Sequence, residues 1–70
     1  MLTMRPECQI CLTPLPTDRD GALICSFECT FCQTCNEASL NYVCPNCGGD
    51  LKPRPLRMGQ ALVDHPPEPA

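Results

Sequence analysis

Seventy residues allow one domain at most. The chain is 43% apolar, but that share counts eight cysteines, and two Phe, one Tyr and no Trp leave few side chains large enough to build a core. A formal charge of −3 argues against a general binder of phosphate backbones, and no stretch is long and apolar enough to span a bilayer as a helix.

Residues 1–7 read as a short lead-in, in which Pro6 favours an extended approach to Cys8. Cys8-Gln9-Ile10-Cys11 is a metal knuckle, because two intervening residues let both sulfurs point at one ion from a tight turn. Ile10 lies between the thiols, where it caps the site with apolar surface or offers a contact. Residues 12–22 read as a loop, since two prolines and Asp20-Gly21 exclude a regular element over most of its length. Leu12 and Leu15 are expected to tuck inward. Ala22 to Cys25 is a strand candidate, with Phe31-Cys32 as its antiparallel return in a short hairpin. Phe27 and Phe31 are both expected in the small core.

Gln33 to Leu40 can form one short helix, with Cys35, Ala38 and Leu40 inward, Gln33, Asn36 and Glu37 outward, and Asn41 as terminator. Two turns are not helical alone in water, so Cys35 must anchor them. Cys44-Pro45-Asn46-Cys47-Gly48-Gly49 is a second knuckle: Pro45 presets the turn, and the glycines permit positive φ where the backbone passes the metal. Leu51 is the last clear core candidate, so the folded domain is expected over 8–52. Residues 53–70, punctuated by proline, read as a largely disordered tail in which Met58 to Val63 form at most a transient helical turn.

A domain this small needs a staple. The N-terminal residues carry no signal-like apolar run. A cytoplasmic location with reduced thiols is therefore expected, and close thiol pairs there point to metal rather than to disulfides. Zinc is the default ion for four thiolates, and eight thiols suit two closed sites. The spacings match neither common ferredoxin pattern, which argues against an iron–sulfur cluster. Eight thiolates add eight negative charges and two divalent ions return four, so −3 becomes −7. If adjacent pairs stay together, the partner of Cys8 and Cys11 has three candidates.

The order of ligands resembles a RING finger over residues 8–47. Cys8-Gln9-Ile10-Cys11 resembles its first pair, Cys29-Thr30-Phe31-Cys32-Gln33-Thr34-Cys35 resembles His-x-Phe-Cys-x-x-Cys with Cys29 in the histidine's place, and Cys44-Pro45-Asn46-Cys47 resembles the closing Cys-Pro-x-Cys. The chain also resembles a family of short uncharacterised bacterial proteins that share the runs Cys-Ser-Phe-Glu-Cys-Thr-Phe-Cys and Cys-Pro-Asn-Cys-Gly-Gly. The RING resemblance implies a small metal-organised α+β fold with a cross-brace. Cys8, Cys11, Cys32 and Cys35 would bind one zinc, and Cys25, Cys29, Cys44 and Cys47 the other. Such interleaving ties distant segments together, whereas sequential sites would leave two halves too small to bury anything. The competing division puts Cys8, Cys11, Cys44 and Cys47 in a ribbon-type site and the central four cysteines in a second.

Structural zinc without an open position argues against hydrolytic catalysis. His65, the one histidine, lies in the tail, and Glu28 and Glu37 form no evident acid–base pair. The expected function is a non-catalytic protein-interaction module, with Ile10, Pro45 and the 33–40 helix as its contact surface. The RING resemblance implies a second reading, ubiquitin-ligase-like binding of a conjugating enzyme through Ile10 and Pro45. Against it stand Cys29 in place of His, the eight residues between Cys35 and Cys44, the absence of Trp, and Gly48 where active RINGs often carry a basic residue. A third reading, ribbon-like nucleic-acid binding, rests on Lys52, Arg54 and Arg57, whose plainer role is to keep the tail soluble. Thiol oxidation with loss of zinc is a fourth.

Overall fold

A computed structural model describes residues 2–67. Three short strands form an antiparallel sheet: β1 (Ala22–Ile24), β2 (Thr30–Cys32) and β3 (Lys52–Pro53), in the order β2-β1-β3. The hairpin register sets Ala22 opposite Cys32, Leu23 opposite Phe31 and Ile24 opposite Thr30. Leu23 and Phe31 are both buried, so an aliphatic–aromatic cross-strand pair sits at the centre of the sheet. The third strand straddles the expected boundary, with Lys52 in the expected domain and Pro53 at the start of the expected tail. Pro53 is tolerated there because β3 is an edge and needs no donor on its outer side.

After β2 the chain turns at once into α1 (Gln33–Cys35), which widens without a break into a π-helical turn over Asn36–Leu40. The expected helix span is thus present, ended by Asn41 in the left-handed conformation (φ 50°, ψ 44°) and by Tyr42, also at positive φ. Its facing differs from the expectation. Asn36 is fully buried, while Ala38 is exposed and Leu40 half-buried. The reason lies in the left-handed turn, which brings the Tyr42 N–H back over the helix. That group donates to Asn36 Oδ1 at 2.7 Å and draws the amide inward.

Two loops of the chain have the same backbone. Cys8 N–H donates to Thr13 O (3.0 Å) and Leu12 N–H to Cys8 O (3.0 Å). Cys44 N–H donates to Gly49 O (2.8 Å) and Gly48 N–H to Cys44 O (2.9 Å), at the same offset that separates Cys8 from Cys44. Bridges Glu7–Pro14 and Val43–Asp50 close the two loops. Leu15 N–H donates to Pro6 O, and its counterpart Leu51 to Tyr42 O. Leu15 and Leu51 are both buried, one below each loop. The correspondence explains why Leu12 does not tuck inward as expected. It occupies the left-handed position (φ 64°) that Gly48 fills in the other loop (φ 77°), and it stands 63% exposed.

The core comprises Leu15, Ala22, Leu23, Phe31 and Leu51 with four cysteines, Cys8, Cys25, Cys32 and Cys44. Phe31 lies there as expected; Phe27 does not, and is 74% exposed. It sits in the turn between β1 and β2, where its N–H is drawn to Cys25 Sγ at 3.3 Å, so the strand position left for an inward aromatic goes to Phe31.

Both expected flanks are tied to the sheet. Met4 is buried, and Arg54, 4% exposed, reaches from beyond β3 to donate to Arg5 O (2.7 Å) and Leu15 O (3.1 Å). Arg57 donates to Leu2 O (2.8 Å) and His65 O (2.9 Å). The packed segment therefore runs past residue 53, and a helix, α2 (Gly59–Asp64), occupies the stretch expected to turn transiently. Residues 68–70 of the expected tail lie outside the described residues. No described helix is long and apolar enough to cross a membrane.

Candidate metal centre

Each cysteine is placed by a local device. In the two matched loops and in the β1–β2 turn, the residue two positions after a cysteine turns its N–H onto that cysteine's sulfur. Ile10 N–H lies 3.4 Å from Cys8 Sγ, Phe27 3.3 Å from Cys25 Sγ and Asn46 3.4 Å from Cys44 Sγ. Cys32 caps α1 in a related way, accepting from Cys35 N–H at 3.4 Å. A backbone N–H aimed at sulfur favours the thiolate, the form that binds metal.

These devices gather the sulfurs into two groups. Cys8, Cys11, Cys32 and Cys35 have sulfurs all within 4.8 Å of one another, and so do Cys25, Cys44 and Cys47. The two groups alternate along the chain, the first and third segments in one, the second and fourth in the other. Cys29 stands just beside the triad: its sulfur accepts from Asn46 Nδ2 at 3.5 Å and neighbours those of Cys25 and Cys44. Cys8 and Cys11 are not gathered with Cys44 and Cys47, as a ribbon-type division requires. Among the described residues no His, Asp or Glu joins either group.

The separations decide between bonding modes. Cys8 Sγ lies 3.8 Å from Cys35 Sγ, and Cys11 Sγ 3.6 Å from Cys32 Sγ. A disulfide needs about 2.05 Å, and all eight cysteines are free. Four sulfurs at about 2.3 Å from a central ion stand about 3.8 Å apart along each edge of a tetrahedron. These two separations in the first group match the edge of a four-coordinate thiolate shell.

Its electrostatics ask for a cation. The Thr13 hydroxyl, 3.0 Å from Cys11 Sγ, pushes that thiol down to about 6, with the Thr13 backbone assisting. Cys35 is pushed up to about 12 by the adjacent Cys32 thiol, by burial, and by the Cys11 and Cys8 sulfurs. In the second group burial raises the Cys25 thiol, but the N–H groups of Cys29 and Phe27 outweigh it and bring it to about 7. At Cys29 the Asn46 amide favours the thiolate, yet burial and the Cys25 and Cys44 sulfurs prevail and push the thiol up. Crowded sulfurs cannot all ionise by themselves. A divalent ion removes the conflict by supplying the missing positive charge.

Side chains between the ligands join the two groups. Gln9, inside the first knuckle, exchanges two bonds with Thr30, the residue after Cys29: Gln9 N–H to Thr30 O (3.0 Å) and Thr30 N–H to Gln9 Oε1 (3.0 Å). Asn36 follows Cys35 and holds Tyr42, two residues before Cys44. The sequence holds no sign of Gln9, Thr30 or Asn36 as joining residues, since polar residues beside ligands carry no periodic signal. Of the surface residues it suggested, Ile10 is 50% exposed and Pro45 is exposed, one in each matched loop. Of the basic residues it suggested, Lys52 is exposed but Arg54 is buried on backbone carbonyls and is not free for phosphates.

The sequence profile of a family of proteins of unknown function, DUF1272, matches residues 1–57, and the chain belongs to this family. It is 50% identical over 66 residues to an uncharacterized protein of Rhizobium meliloti (strain 1021), a match that covers 94% of this chain and 79% of that protein. No solved structure matches. The matched span includes all eight cysteines, together with Arg54 and Arg57.

Proposed function

We propose that this member of the family is a structural zinc module that binds another protein and catalyses nothing. It holds two zinc ions in a RING-like cross-brace. Cys8, Cys11, Cys32 and Cys35 ligate one; Cys25, Cys44 and Cys47, joined by Cys29, ligate the other. The observation that carries the reading is the first group: four sulfurs lie within 4.8 Å of one another, and the Cys8–Cys35 and Cys11–Cys32 separations match a tetrahedron edge, which supports a closed four-thiolate site without a position for water or substrate. Zinc fits because four-thiolate tetrahedra suit it, and unlike a redox-active ion it needs no electron partner.

What remains for function is the surface the ions hold still. Ile10 and Pro45 sit in the matched loops, which are pinned by the N–H groups of Ile10 on Cys8 Sγ and of Asn46 on Cys44 Sγ, and both expose apolar atoms on a rigid base. Rigid apolar knobs suit protein contacts, because little side-chain and loop entropy is lost on docking. The reducing cytoplasm is the compartment in which eight thiolates persist.

Elemental analysis of protein prepared without added metal should return two zinc ions per chain, and cadmium-113 NMR of the exchanged protein should show two four-thiolate signals. One ion per chain, or a dispersed amide spectrum that survives reduction and chelation, would refute the metal reading. Ile10→Asp and Pro45→Asp should leave the metal content unchanged and abolish capture of the native partner. Stimulated discharge of ubiquitin from a charged conjugating enzyme would replace the non-catalytic reading with the ligase one.

A further inference from the structure

Away from the sulfurs, the N-terminal segment and the segment after β3 enclose an open groove of about 550 Å³. Leu2 and Met4 line it on one side and Leu56, Met58 and Ala61 on the other, with Arg57 in its wall. Met4 is buried, whereas Leu56 and Met58 stand exposed at 42% and 59%. Apolar side chains from both flanks of the chain thus line an open cleft.

The charge there is unbalanced. Arg54, buried three residues before Arg57, is pushed below its usual range by burial and then by the charge of Arg57. Both guanidinium groups spend their hydrogen bonds on carbonyls, those of Arg5 and Leu15 for Arg54, those of Leu2 and His65 for Arg57. None goes to a carboxylate among the described residues. The Nε atoms of Arg5 and Arg54 are buried without any partner. An acidic protein, at −3 before its thiolates ionise, therefore keeps an uncompensated cluster of guanidinium groups against an apolar cleft. Buried like charges are costly without an anion, and Arg57, only half-buried, can be reached by one.

We infer that this groove receives an apolar peptide segment of a partner protein that carries one acidic side chain, its carboxylate set against Arg57. The cleft is open rather than enclosed, which suits a peptide segment better than a free amphiphile needing enclosure on most sides. Arg57 is held in place by one N–H of Nη2 on Leu2 O and one of Nη1 on His65 O, and the second N–H of each of these nitrogens is left for a carboxylate. The inference deepens the binding-module reading and rests on it, but it concerns a different face from Ile10 and Pro45.

The test uses the zinc-loaded full chain, observed by amide NMR. The probes are acetyl-Ala-Leu-Asp-Leu-Ala-amide, its Asn and Lys counterparts, and decanoate. Saturable shifts confined to residues 2–5 and 54–61 are expected, with the Asp peptide bound about fivefold or more tighter than the Asn peptide and the Lys peptide weakest. Arg57→Gln should erase the Asp-over-Asn preference. Because Arg57 also holds the backbone at Leu2 and His65, Met58→Glu serves as a second variant: exposed, it should abolish binding with the metal content unchanged. Absent or scattered shifts, or equal binding of the Asp and Lys peptides, overturn the inference. Saturation by decanoate but not by the Asp peptide assigns the groove to fatty acids and overturns it too. Failure of the broader reading shows elsewhere, as partner capture indifferent to Ile10 and Pro45.

Discussion

Replacing Gln9 by Ala tests how the two metal groups are joined. The Thr30 amide is fully buried, and its hydrogen-bond partner is Gln9 Oε1 at 3.0 Å. Truncation leaves that N–H buried and unsatisfied, at a cost of about 1–3 kcal/mol. The backbone bond from Gln9 N–H to Thr30 O survives, so the loss is confined to the side chain. Metal binding and folding are one equilibrium in such a domain, so the apparent metal affinity should fall by about 5- to 150-fold. Cobalt(II) titration, followed by its thiolate absorption bands, reads this directly. Gln9→Glu keeps an acceptor at the same reach and should recover most of the loss. An Ala variant that binds cobalt within twofold of the parent would refute the argument, because the buried amide would then be satisfied without Gln9.

Arg54→Ala should destabilise the zinc-loaded protein by about 2–4 kcal/mol in urea, since two charge-assisted bonds to backbone carbonyls are lost; Arg19→Ala, in an exposed turn, should stay within about 0.5 kcal/mol. Leu12→Gly should be nearly neutral, because relief of about 1–2 kcal/mol of left-handed strain offsets chain entropy and a little lost burial. Gly48→Leu should instead destabilise, although nothing stands within 4 Å of its added Cβ; a matching loss in both variants would sink the equivalence of the two loops. Apparent zinc affinity should rise with pH through neutrality. Cys35, pushed up to about 12, holds its proton there and must release it to solvent when the ion binds, while Cys11, at about 6, has already lost its own. Calorimetry in buffers of different ionisation enthalpy should record proton release, and a pH-independent affinity would contradict the electrostatic argument.

Much of the site was legible because a metal knuckle is a local object. Cys8-x-x-Cys11 and Cys44-x-x-Cys47 need only a tight turn, and the structure builds both from bonds within ten residues. The hairpin and the 33–40 helix were readable for the same reason: β-forming residues, a turn, and a helix too short to stand without its ligand anchor. The gathering of Cys8 and Cys11 with Cys32 and Cys35 could be anticipated from likeness to a known pattern, but spacing alone left three divisions open.

Tertiary packing decided the rest. Phe27 and Phe31 are chemically identical and four residues apart, yet only Phe31 has Leu23 across the sheet, while Phe27 belongs to a turn closed by sulfur. Asn36 looked like a surface residue until a left-handed turn returned the Tyr42 amide to it. Arg54 looked like part of a soluble tail until carbonyls of Arg5 and Leu15, far away in sequence, offered themselves as acceptors. The amino-acid order by itself determined which atoms can seize a metal, because ligand chemistry and turn geometry act over a few residues. Which polar and aromatic side chains go inside was settled only by the folded chain, because burial depends on partners that no local pattern names.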